Sequence, residues 1–145
     1  MADNVVSCRM KEIANIELVL RTLGRWNPGD LAFVESICYE SGSDQWGSKL
    51  LIVALFQKRD IAKGGWPSSS APCARVSIEF RDVSNFHVAG LSRTPKQIMG
   101  FDIEDVSERG MEGISFIVED YEAGQIGFTC REIQIMSVES LLALP

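Results

Sequence analysis

Residues 101–136 read FDIEDVSERGMEGISFIVEDYEAGQIGFTCREIQIM, and the alternation within them decides the fold. Ile114, Phe116 and Val118 alternate with Ser115, Ile117 and Glu119, and Ile126, Phe128 and Cys130 then alternate with Gly127, Thr129 and Arg131. A period of two marks half-buried β-strands. Between the runs, Glu122, Ala123 and Gly124 suit a type I turn that ends on a glycine at positive φ, which makes the pair an antiparallel hairpin. The turn sets the register. Val118 faces Phe128 and Phe116 faces Cys130, so Ile114, Phe116, Val118, Ile126, Phe128 and Cys130 fall in the core. Glu119 is left on the outer face, Glu122 in the turn and Asp120 at the strand end.

The same stretch concentrates the charge. Residues 102–122 hold eight acids (Asp102, Glu104, Asp105, Glu108, Glu112, Glu119, Asp120, Glu122) against the single base Arg109, a local −7 in a chain of net −6. A field of that sign repels nucleic acid and attracts a basic protein. A sequence pI near 4.8 points the same way.

Working outward, Phe101 and Ile103 alternate with Asp102 and Glu104 in a strand spanning Ile98–Val106 that shows acid on its outer face. Upstream, RVSIEFR (75–81) has strict period two, and Phe86 and Val88 resume it after a tight turn at 82–85. The run LLIVALF within Lys49–Lys58 suits a strand covered on both faces. Leu31–Glu40 reads as another strand, after a turn at Asn27, Pro28, Gly29 and Asp30. In the last strand the apolar parity changes between Cys130 and Ile133, which predicts a β-bulge near Arg131 and Glu132. Helical spacing of Ile13, Ile16, Leu20 and Leu23 predicts a helix over Met10–Leu23, stopped by Gly24 and Pro28. The sum is a mainly β chain: an antiparallel β-sandwich or partial barrel of about eight strands, with one N-terminal α-helix packed on it. Its 145 residues make one domain (1–145) with a core of its own.

Chemical motifs are sparse. The single histidine, His87, alternates with Phe86 and Val88, points away from the apolar face and has no nucleophile motif beside it. Cys8, Cys38, Cys73 and Cys130 are far apart and show no metal-ligand spacing, and Cys38 and Cys130 read as small hydrophobes in strands. No phosphate-cradling glycine motif and no calcium loop occurs, and no spacing among the acids selects a catalytic pair. No metal and no cofactor is expected. Arg9, Lys11, Glu12 and Glu17 interrupt the N-terminal apolar residues, so no signal segment or membrane span is expected and the chain reads as cytoplasmic. Arg59–Pro72 is the longest connection and carries Trp66, which either covers a sheet edge or contacts a ligand; Trp46 reads the same way.

The order from Val76 to Val138 resembles the bacterial immunity protein 50 family of polymorphic toxin systems. The resemblance lies in FRDVSNFHVAG (80–90), in IMGFDIEDVSERGMEGISFIVEDYEAGQIGFTC (98–130) and in REIQIMSV (131–138). It covers roughly the C-terminal half and brings no catalytic residues. It implies a cytosolic, antitoxin-like protein that neutralises a cognate toxin without catalysis, and the acidic segment then becomes the expected partner surface. Two other readings stand beside it: a small-ligand-binding β-protein or enzyme with a pocket near the Arg59–Pro72 loop, and a module that pairs through exposed strand edges.

Overall fold

A computed structural model describes residues 12–42, 47–59, 65–89, 96–97, 100–121 and 125–145. Helix α1 (Glu17–Leu23) is followed by a 3-10 turn at Pro28–Asp30 and the strands β1 (Leu31–Glu40), β2 (Lys49–Phe56), β3 (Cys73–Arg81), β4 (Ser84–Val88), β5 (Lys96–Gln97), β6 (Phe101–Asp105), β7 (Phe116–Asp120), β8 (Ile126–Cys130) and β9 (Glu132–Leu141). Two antiparallel sheets result, ordered β5-β1-β2-β3-β9 and β4-β8-β7-β6. They do not close into a barrel; among the described residues the fold is two packed sheets, a sandwich or partial barrel, with one α-helix on it.

Each sheet turns one face inward. In the larger sheet, registered rows such as Leu50–Phe80–Ile133 and Ile52–Ile78–Ile135 line the core. The smaller sheet answers with Phe101, Phe116, Val118, Ile126, Phe128 and Cys130. Phe80 meets Phe128 edge to face across the sandwich, with ring centroids 4.8 Å apart.

The hairpin is as its sequence predicts: Val118 pairs with Phe128 and Phe116 with Cys130. Its turn residues Glu122, Ala123 and Gly124 lie outside the described residues, as does Trp46. β3 and β4 are separated by a tight turn, but they belong to different sheets. The chain enters the smaller sheet at Asp82, whose φ of 55° makes the corner, lends β5 to the larger sheet between β4 and β6, and leaves the smaller sheet finally at Arg131. The two corners lie side by side, with the Arg131 N–H donating to Arg81 O at 2.9 Å. Ser48 locks them by accepting from Val83 N–H at 2.8 Å and donating its hydroxyl to Val83 O at 3.0 Å.

Four expectations are corrected. The parity change after Cys130 is not a bulge at Arg131 and Glu132 but the passage between sheets; the extra residue sits further on, where Ser77 pairs with Ser137 and Ile78 with Ile135, leaving Met136 over. The helix begins at Glu17 rather than Met10, because Ala14 instead bridges Gln134 in parallel, with its N–H on Ile133 O at 3.0 Å and its carbonyl receiving Ile135 N–H at 2.9 Å. Asn15, with φ 62°, turns the chain from that bridge into the helix. Cys38 is exposed, because register shifts in β1 rotate its side chain outward. The outer face of β2 is only half-covered at Leu51 and Val53.

Candidate functional site: the outer face of the smaller sheet

The pairing of β6, β7, β8 and β4 dictates which side chains share the outward face. Directly opposed residues point to the same side of a sheet. Asp102 opposes Glu119, Glu119 opposes Gly127, and Gly127 opposes His87, which makes one outward row across four strands. A second row runs Glu104–Ile117–Thr129–Ser84, and its last two hydroxyls are 2.6 Å apart.

Asp102, Glu104 and Glu119 are exposed on this face. Glu104 is paired to Arg109 at 2.7 Å, whereas no described cation pairs with Asp102 or Glu119. Two carboxylates directly opposite one another have Cβ atoms about 5 Å apart and weaken the strand pair by roughly 0.2–1 kcal/mol. At the far end of the row the His87 ring packs against Gly127, where a Cβ would stand 2.4 Å from the ring; only glycine leaves room there for the imidazole. His87 is exposed, as its place in the alternation predicts.

The remaining acids of the segment divide by position. Asp105 is half-buried on the inward side of β6 and accepts from Ser107 N–H at 2.9 Å and Ser107 Oγ at 2.6 Å, which starts the 3-10 turn Ser107–Arg109. Asp120 is buried and accepts from Ile126 N–H at 3.1 Å, tying the two strands of the hairpin together. Both are used by the fold. Glu108 and Glu112 are exposed on the connection from β6 to β7, and Glu122 lies outside the described residues.

Trp66 is an anchor. Its Nε1–H donates to Gln57 O at 2.7 Å, and the Arg59 guanidinium covers its ring 3.8 Å from the centroid. The buried Gln57 side chain accepts from Ser68 N–H at 2.6 Å and donates to Ser68 O and Ala71 O, which fixes the described part of this connection to the end of β2. An open groove of about 430 Å³ does lie near it, but Lys58 and Arg59 supply its charge rather than acids, and Trp66 does not line it.

A larger groove has no signature in the sequence. It has a volume of about 560 Å³ and runs beside β6, between Ile103 and Phe116 on one wall and Ile16 and Trp26 on the other, with Glu12 and Glu17 also lining it. Its walls come from segments almost a hundred residues apart, so no local pattern announces it. Among the described residues no group of His, Cys, Asp and Glu is arranged to hold a metal ion, and no helix is long and apolar enough to cross a membrane. No family model, curated protein or solved structure matches the chain.

Proposed function

We propose that this chain is a non-catalytic binding protein of the immunity type, which neutralises a cognate bacterial toxin by holding a cationic surface of that toxin on the outer face of β4-β8-β7-β6. The observation that carries the reading is the register of Asp102 against Glu119. Like charges placed directly opposite on an exposed face cost stability when the protein is alone, and that cost is relieved when lysines or arginines of a partner settle between them. Glu104 extends the patch, and Arg109 is the counter-charge a stronger cation displaces. The likeness of residues 76–138 to immunity protein 50 sequences supports the same class, and the net charge of −6 supports a basic partner rather than nucleic acid.

The test is neutralisation in cells. Co-expression with a candidate toxin domain, sought first among the neighbouring genes, should rescue growth, and the tagged protein should capture that domain. The triple variant Asp102→Lys, Glu104→Lys, Glu119→Lys should lose both capture and rescue while keeping its fold by circular dichroism. A folded triple variant that still captures and neutralises the toxin removes this face from the account.

A further inference from the structure

β6 is an outermost strand of its sheet, bonded to β7 on one side only. Its hydrogen-bonding parity is fixed at both ends. Tyr121 N–H donates to Gly100 O at 3.1 Å, and Val106 N–H donates to Ser115 O at 2.7 Å. Even-numbered residues of the strand therefore bond β7, and the odd-numbered Phe101, Ile103 and Asp105 turn their N–H and C=O groups to the other side. At the start of β6 that side is closed by the Pro28–Asp30 turn: a Cβ on Gly100 would stand 2.8 Å from Gly29 Cα. At Ile103 the edge opens onto the groove of about 560 Å³, and no described backbone group bonds it there.

Resting on the reading of the acidic face given above, we propose that this edge of β6 is a strand-addition site, which takes an extended segment of the basic partner in which cationic and apolar side chains alternate. Backbone bonds to Ile103 provide the docking. Side chains of an added strand point alternately out and in. Those pointing out lie beside Asp102 and Glu104 and are cationic; those pointing in enter the groove against Ile16, Trp26 and Phe116 and are apolar. Glu12, Glu17 and Asp105 at the groove add to the attraction for a basic segment. A partner held only by its charges needs no particular backbone direction, whereas this edge demands an extended one.

The probe is a ten-residue peptide of alternating lysine and valine, with two derivatives N-methylated on alternate amides, one set in each. Binding is followed by NMR on the intact chain, with hydrogen exchange read at the Ile103 amide. Only one set of amides of an added strand faces β6. One methylated peptide should therefore bind about tenfold more weakly or worse, the other about as well as the parent, and Ile103 exchange should slow on binding. The Ile103→Pro variant, which lacks the edge N–H but keeps every bond to β7, should bind the parent peptide as weakly. Because the methylation is on the peptide, the result does not depend on how well that variant folds. Equal, salt-sensitive binding by all three peptides overturns strand addition and leaves the charged face standing. Binding by none overturns strand addition and leaves that face to the toxin-capture test. An Ile103 amide already protected in the free protein overturns it in favour of an occupant from the chain itself.

Discussion

Asp30 shows how single residues hold the scaffold beneath the site. Its carboxylate is 1% exposed and accepts from Arg25 Nε at 2.9 Å and Arg25 Nη2 at 2.7 Å, with the Arg59 N–H at 3.3 Å. Its own carbonyl receives Gln57 N–H at 2.9 Å, so one residue ties the start of β1 to the end of β2. Asp30→Ala removes the charged acceptor of Arg25 and of the Arg59 N–H, and because Arg25 is partly exposed and can rehydrate, it should lower the unfolding free energy by about 1.5–3 kcal/mol in urea titrations. The sequence reads Asp30 as the end of an N-P-G-D turn, and that much is right, because Asn27 Oδ1 accepts Gly29 N–H at 2.9 Å. Its burial is not legible, since Arg59 and Gln57 arrive from almost thirty residues away. Cysteines give a second check. Burial pushes the Cys130 thiol up to about 12 and also raises Cys73. Alkylation of the native protein at neutral pH should therefore spare both and modify exposed Cys38. A folded-state value raised above the thiol's ordinary 9.0 adds stability that is complete below pH 9 and is lost as pH rises toward about 12, so the unfolding midpoint should fall over that alkaline window.

At the scale of elements, β6 and β7 carry the trade-off on which the functional reading turns. Asp102→Lys replaces a repulsive cross-strand pair with an attractive one against Glu119, so it should stabilise the fold by roughly 0.5–1 kcal/mol while weakening the partner complex. A thermal melt and a binding isotherm on the same sample read both effects. A purely solubilising surface predicts the first effect without the second. The β7–β8 hairpin was legible because its information is local: Phe116, Val118, Phe128 and Cys130 lie within fifteen residues and share one turn. The sheet changes at Asp82 and Arg131 were not, since a turn between strands of one sheet and a corner between two sheets leave similar residues behind. Helical spacing overshoots the helix for a related reason: Ile13 and Ile16 fit the helical period, while the hydrogen bonds from Ala14 to β9 are non-local. The groove beside β6 had no signature at all, since Trp26 and Phe116 meet only after folding.

For the whole molecule, the two sheets meet across one apolar core in which Phe80 and Phe128 are in contact, and Phe80→Ala at that junction should cost about 3–5 kcal/mol by chemical denaturation. With the sandwich intact, its acidic side acts as a single electrostatic surface. Charges on an exposed face act over about 10 Å at 0.1 M salt, so their work is visible in encounter rates rather than in static contacts. The most direct measurement is the association rate of the proposed partner, a cationic toxin domain, by stopped flow, across a series of salt concentrations. It compares the wild-type chain with the Asp102→Lys, Glu104→Lys, Glu119→Lys variant. The account predicts a wild-type rate that falls steeply with salt, and a variant that is about tenfold or more slower at low salt and nearly flat across the series. Superimposable salt profiles for the two proteins would contradict it.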